Sequence, residues 1–357
     1  VIRAILRATP DDFQVDELPA YTPSGAGEHL YIHFRKRGLD TLQAVRLLAA
    51  RLGVSARDAG TAGLKDRHAL TTQYASFPFP LARPLPDAAD LGGDGLEVLS
   101  LARHGNKLKT GHLHGNRFKL MLRGLDPAQR QPLRLALERL GAEGLPNRFG
   151  VQRFGRFGDN ASQARAWLSG QRPPPRDLRV RRLQFSALQS ELFHRVLDRR
   201  IADGSWSRPL PGELLISPGG GRHLRLDDVP DADEAVRAGR LSPSGPLCGA
   251  RAPLPEGEAR ALEEDVLRDA LPDLQLLARW KSLGEGGRRA LRLLPLELRV
   301  ELPEDATGLQ VQFVLPKGAY ATTVLEAVCE IEDASRARDT TDPAGSAIEA
   351  EEPTSGE

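Results

Sequence analysis

Hydrophobic and polar residues alternate with a period of two in DFQVDEL and EHLYIHFRKR, as expected for strands that bury one face and wet the other. In LDTLQAVRLLAARLGV the spacing becomes helical. Leu42, Val45, Leu48, Ala49 and Leu52 share one face, Thr41 follows Asp40 at the start, and Gly53 supplies a stop. GNRFKLMLRGL reads as another strand, and PAQRQPLRLALERLGAEGLPN as an amphipathic helix ending near Gly141 or Gly144. Strands and helices are thus mixed from the beginning of the chain.

The prolines of QRPPPRD, at 171–177, can continue neither a helix nor a central strand, and they predict a domain boundary at 172/173. Beyond them FSALQSELFHRVLDRR is a strong helix, whereas residues 203–258 are dense in Gly, Pro and short apolar runs, as in hairpins and long loops. The expectation is an inserted module over 173–292. FVLPKGAYATTVLEAV then supplies a strand, a Pro-Gly turn and a helix that return to the first domain over 293–332. Residues 333–357 hold almost no large apolar side chain, and a disordered acidic tail is expected there.

A length of 357 residues agrees with two domains. An apolar share of 40% and a charged share of 27% fit a soluble globular chain rather than a disordered one. No window is apolar enough to span a bilayer, and the arginines of VIRAILRATPDDF argue against a signal or anchor, so a cytoplasmic location without a membrane partner is expected. Cys248 and Cys329 lie far apart, against a disulfide framework or a four-cysteine zinc site. The net charge of +1 hides an asymmetry: residues 330–357 carry nine Asp or Glu against Arg336 and Arg338, which leaves +8 on residues 1–329. Such a basic body is compatible with a polyanionic partner without selecting one.

Three segments carry candidate chemistry. In AGLKDRHALTTQ, Asp66 stands between Lys65 and Arg67, whose charges favour an ionised carboxylate able to act as base or nucleophile; the alternative is a turn Asp with solvated neighbours. In PNRFGVQRFGRFGDN, Phe149, Phe154 and Phe157 interleave with Arg148, Arg153 and Arg156. Such rings and guanidinium planes can stack on an extruded base, or the rings can plug a core. HGNKLKTGHLHGNRFK concentrates Lys107, Lys109, Arg117 and Lys119, a possible phosphate patch; His112 and His114 lack partners for a metal set. PGGGRH lacks the spacing of a phosphate loop, and no GxGxxG follows a strand, so nucleotide-cofactor binding is unsupported.

In chain order, PDDFQVDE, GEHLYIHFRKRGLDT, AGLKDRHALTTQ, KLKTGHLHGNRF, LPNRFGVQRFG, FSALQSELF and LPKGAYATTVLEAV resemble the TruD family of transfer-RNA (tRNA) pseudouridine synthases, over nearly the whole chain except the acidic tail. The resemblance implies a mixed α/β (α+β) fold: a catalytic domain with a central antiparallel sheet flanked by helices, interrupted by an inserted α/β domain. It implies isomerisation of a uridine, expected at position 13 of tRNA, by a monomer that uses neither cofactor nor metal.

Asp66 matches the family's nucleophile, attacking either the sugar or the uracil ring. Phe13, Asn147 and Phe149 match residues around the target uridine. Arg7 stands where the family has Lys and is expected to pair with Asp66; Tyr320 stands where Phe is expected, keeping the aromatic wall and adding a hydroxyl that needs a partner. Lys65, Arg67, Lys107, Lys109 and Arg153 are candidate RNA contacts. The competing expectations are a pseudouridine synthase acting on another RNA, and a non-catalytic RNA-binding protein in which basic patches and Phe stacking suffice.

Overall fold

The computed structural model describes residues 1–155, 157–271, 275–303 and 308–335. The chain divides into two compact units, Val1–Ala142 with Pro295–Glu357, and Glu143–Leu294. In chain order the first unit contributes β1 (Arg3–Leu6), β2 (Phe13–Pro19), β3 (His29–Lys36), α1 (Thr41–Leu52), β4 (Gly60–Thr61), β5 (Leu70–Pro78), β6 (Leu96–His104), β7 (Leu113–Leu122) and α2 (Pro127–Glu143). The second holds β8 (Leu145–Pro146), α3 (Asn160–Leu168), α4 (Leu178–Ala202), β9 (Leu214–Ile216), β10 (His223–Arg225), α5 (Ala232–Arg237), β11 (Ser242–Leu247), α6 (Gly257–Ala270), α7 (Gln275–Ala278), β12 (Gly287–Ala290) and β13 (Arg292–Leu293). The return to the first unit supplies β14 (Leu296–Glu301), β15 (Leu309–Pro316), α8 (Ala321–Glu326) and β16 (Glu330–Asp333).

The first unit is built on one sheet in the order β14-β15-β7-β2-β5-β3-β6, with β4 added beside β5. Its pairs are antiparallel except β2 with β5, which run parallel. The mixed α/β fold with a largely antiparallel sheet agrees with the expectation. Alternation explains the sheet's inner face: Leu30, Ile32 and Phe34 of β3, with Ala75 and Phe77 of β5, pack under Ala44, Val45, Leu48 and Leu52 of α1. Leu48 is fully buried, so Leu48→Ala would cost roughly 2–5 kcal/mol. The Asp40 side chain accepts from Gln43 N–H as the α1 N-cap, and Gly53 closes the helix in the left-handed region at φ 63°. Leu42 departs from the expected face: it is exposed, and Ala44 is buried in its place.

A short parallel pair is tied to this sheet by an isolated antiparallel bridge between Ile5 and Arg123, just past β7. There β1 meets β16, with Leu6 opposite Asp333. This pairing carries Arg7, the next residue, to the end of the chain's described part.

The second unit contains a four-stranded sheet, β10-β9-β11-β12, and a helical core around α4. Here the domain expectation is displaced. Residues 143–172 belong with this unit rather than with the first, because α3 packs on α4: Trp167 is 3% exposed, donates from Nε1 to Gln184 at 2.9 Å, and meets Trp280 edge-on at 5.0 Å. The prolines therefore break one helix from the next inside a unit. At the far end the division falls at 294/295, close to the expected 292/293. Most of the expected tail, 336–357, lies outside the described residues, as does Arg156. Asp333, expected to begin that tail, is instead the last residue of β16. Among the described residues no helix is long and apolar enough to cross a membrane.

Candidate active site

Asp66 sits in the loop between β4 and β5, which the buried Ala62 and Ala69 moor at either end. The peptides around it are fixed from two elements. Thr41 Oγ1, on the first turn of α1, accepts from Lys65 N–H at 2.8 Å. Lys36, the last residue of β3, is fully buried and donates from Nζ to the carbonyls of Asp66 at 2.6 Å and Leu39 at 2.7 Å. Burial pushes the Lys36 amine down to about 8, against the opposing pull of the Asp66 carboxylate. With its main chain held in this way, the Asp66 side chain remains 62% exposed.

The carboxylate is paired with Arg7. Arg7 Nη2 donates to Asp66 Oδ2 at 2.7 Å, while Arg7 Nη1 donates to Asp333 Oδ2. Beneath, the Arg7 guanidinium lies 3.9 Å from the centroid of the Phe13 ring. Arg7 itself adopts φ 58°, a left-handed conformation that costs a long side chain roughly 1–2 kcal/mol. The β1–β16 pairing on one side and Phe13 on the other hold it there. Asp333 is also bonded by Ser335, through N–H at 3.0 Å and Oγ at 2.6 Å. Burial raises the Asp333 carboxyl, but Ser335 and Arg7 outweigh it and leave it below the usual carboxylate range. An ion pair as wet as Arg7–Asp66 contributes only about 0–1 kcal/mol to stability, so its consequence is positional.

Asn147 and Phe149 belong to the second unit and form a group of their own. Asn147 is 6% exposed; Nδ2 donates to Ala290 O at 2.9 Å, and Oδ1 accepts from Arg289 Nη2 at 2.6 Å. The same guanidinium stacks 4.0 Å from the Phe149 centroid, and that of Arg153 lies at 5.3 Å. Phe149 N–H donates to His194 Nε2 at 2.8 Å, which places the imidazole proton on Nδ1. Burial, aided by the charges of Arg148 and Arg289, pushes His194 down to about 4.

A family model described as tRNA pseudouridine synthase D (TruD) matches residues 2–162 and 175–328. The chain belongs to the TruD family. A relative named tRNA pseudouridine synthase D from Anaeromyxobacter dehalogenans (strain 2CP-C) is 46% identical over 325 residues, covering 90% of this chain and 91% of its own length. Another of that name, from Xanthomonas axonopodis pv. citri (strain 306), is 40% identical over 94% of each chain. A solved structure of a candidate TruD protein from Methanosarcina mazei superposes with a TM-score of 0.72, covering 90% of this chain and 92% of its own, at 22% identity. That likeness concerns the fold.

Within this TruD chain the residues named from sequence fall in distinct places. Arg7, Phe13 and Asp66 come together in the first unit. Phe13 is only 3% exposed, its face covered by Arg7 and its edge set against Phe118 at 6.2 Å. Tyr320 occupies the N-cap position of α8, after the Gly318 turn at φ 77°, and is 42% exposed. Arg67 Nε donates to Gly38 O at 3.1 Å.

Lys65 departs from its expected role as an RNA contact. Its ammonium is bonded to Glu17 at 2.7 Å, with side chains 6% and 1% exposed, so its charge is spent inside the protein. Sequence reasoning missed Lys36, Glu17 and Asp333 in the first unit, and Arg289 and His194 in the second. Of these Lys36 and Glu17 left a mark in the pattern, since they occupy the inward phases of the Leu30, Ile32, Phe34 and the Phe13, Val15 alternations.

Proposed function

We propose that this chain isomerises a uridine of tRNA to pseudouridine, with Asp66 as the nucleophile. The observation that carries the reading is the exposed Asp66 carboxylate on a main chain fixed by Lys36 and Thr41 and aimed by Arg7. A nucleophile needs this combination: backbone freedom removed beforehand and reacting atoms open to substrate.

The reaction moves one bond. The uridine leaves its stack so that its reacting atoms can be reached. The Asp66 carboxylate bonds to the nucleotide, the bond from uracil N1 to ribose C1′ breaks, the uracil turns, and C5 bonds to C1′. The proton lost from C5 is balanced by one gained at N1, and the carboxylate is released. Composition is unchanged, so no oxidant or reductant enters. Arg7 compensates the charge of the attacking group and keeps one oxygen directed.

Asn147, whose amide keeps one N–H and an Oδ1 lone pair beyond its internal bonds, is assigned to a polar edge of the uracil, and Phe149 to its face. Tyr320 supplies an exposed aromatic wall. Phe13 reaches a base only where the Arg7 guanidinium gives way, and otherwise serves as the floor under Arg7. Incubating the purified protein with unmodified tRNA transcripts and mapping pseudouridine chemically tests the assignment. Conversion of one uridine, expected at position 13, supports it; conversion only in ribosomal or messenger RNA fragments replaces the substrate, and conversion in none overturns it.

A further inference from the structure

Apart from Asp66, the first unit carries a cleft of about 560 Å³ lined by Tyr21, His104, Asn106, Lys107, Lys109 and His112. None of its lining residues is acidic. One wall is aromatic and prearranged. Tyr21 stacks on His104 at 5.2 Å and 22°, and Tyr31 meets His104 edge-on at 4.9 Å. The Tyr21 hydroxyl is bonded to His112 Nδ1 at 2.7 Å and to the Tyr31 hydroxyl at 3.2 Å. His104 Nδ1 accepts from Ser24 N–H at 3.1 Å, which fixes the ring.

The other wall is cationic. Lys107 and Lys109 flank Leu108, which is 3% exposed and whose N–H donates to Ser76 Oγ at 2.8 Å, so the two lysines stand on a pinned loop. Among the described residues neither lysine has a carboxylate partner. The loop is also tied to the strand leading to Asp66: Gly111 N–H donates to Ala62 O at 2.8 Å. Four residues extended at ~3.3–3.6 Å each put Ala62 and Asp66 no more than about 14 Å apart.

We propose that this cleft is a nucleotide subsite for the RNA strand flanking the target uridine, with a base against the Tyr21–His104 wall and phosphates on Lys107 and Lys109. An unpaired cation pair beside aromatic rings, without a carboxylate, suits a nucleic-acid strand: the lysines release counterions from phosphate and the rings accept any base face. Tethering through Ala62 places the subsite within a few nucleotides of the reacting one. The inference rests on the function proposed above and adds where the strand is held.

The test is tRNA binding by the full chain at several salt concentrations, combined with an abasic scan of the nucleotides on either side of the converted uridine. Lys107→Ala with Lys109→Ala is expected to weaken binding roughly tenfold and to lower the slope of log K against log salt by about 1.5, raising KM with kcat nearly unchanged. In the wild type, one flanking abasic position should cost roughly tenfold in affinity, and that cost should vanish in His104→Ala. Unchanged affinity and slope in the double lysine variant would overturn the phosphate assignment. Abasic penalties that are the same in His104→Ala as in the wild type at every position would overturn the base assignment. Absence of pseudouridine formation by the wild type would instead count against the proposed function, because the binding comparison is read without turnover.

Discussion

Arg7 and Asp66 are 59 positions apart in the chain, yet the guanidinium of one donates to the carboxylate of the other at 2.7 Å while its second nitrogen holds Asp333. The planar fork matters, since two donors in fixed directions can serve two carboxylates where a single ammonium cannot match both geometries. Arg7→Ala should lower kcat about tenfold or more with tRNA affinity within roughly threefold, and should cost about 1–3 kcal/mol in urea unfolding because the largely buried Asp333 keeps Ser335 but loses its cationic partner. Arg7→Lys should fall between the two. An Arg7→Ala enzyme with normal kcat would remove Arg7 from the reaction.

Lys36→Met removes the bond donated to Asp66 O, together with that to Leu39 O before α1, while keeping most of the side-chain volume. Turnover should drop at least about tenfold with RNA affinity retained, as expected when positioning rather than binding is lost. The pH dependence carries a second signature. The folded amine titrates near 8, below its ordinary 10.5, so between those values the unfolded chain holds the extra proton and stability attributable to this group rises with pH. Below about 8 both states are protonated and the group adds no slope. Unfolding curves at pH 7.5 and 9.5 should therefore show this rise in the wild type relative to Lys36→Met; identical differences at both pH values would contradict it.

In the second unit, His194 is lowered from 6.5 to about 4 by burial and accepts the Phe149 N–H in its neutral form. Between pH 6.5 and 4 the unfolded chain binds the proton more readily, so the stability this group contributes is complete above 6.5 and is lost as pH falls through that window. Proton NMR of the ring should show titration near 4, and thermal stability should decline less on acidification in His194→Gln than in the wild type. Titration near 6.5 would mean that the ring is not buried beside Arg148 and Arg289 as described.

Tyr320 separates stacking from hydrogen bonding. Tyr320→Phe should keep nearly full activity if the ring alone confines the uracil, whereas Tyr320→Ala should lower kcat strongly by opening the pocket. A Phe variant as damaged as the Ala variant would assign the hydroxyl a role, and near-normal rates in both would take Tyr320 out of the site.

Much of the first unit was legible because one-faced burial imposes its period on sequence. The alternation in β3, the helical stripe of α1 and the Gly53 stop all reappear in the fold. Leu42 misled because a residue at the edge of a helical stripe can face either way, and here the smaller Ala44 takes the buried position. The proline run marked a true break in the chain but not its level: nothing local distinguishes a turn between α3 and α4 from a boundary between units, and the Trp167 contacts that decide it come from distant sequence.

The site divides in the same way. The motif around Asp66 was visible as adjacent residues, whereas Asp333 and Arg289 acquire meaning only through partners 326 and 142 positions away. Lys65 shows the reverse error, a cation that looks free in the motif and is neutralised by Glu17 from a neighbouring strand.

The central claim is that the Asp66 carboxylate attacks the target nucleotide, and Asp66→Asn tests it with almost no change in shape. Tritium at uracil C5 is released to water only when C5 becomes bonded to the ribose, so its release from 5-tritiated tRNA reports the reaction directly. Under single-turnover conditions, with tRNA binding and unfolding measured on the same protein, Asp66→Asn should release no tritium above background while binding within a few-fold of wild type and folding normally. Release at a substantial fraction of the wild-type rate would contradict the account.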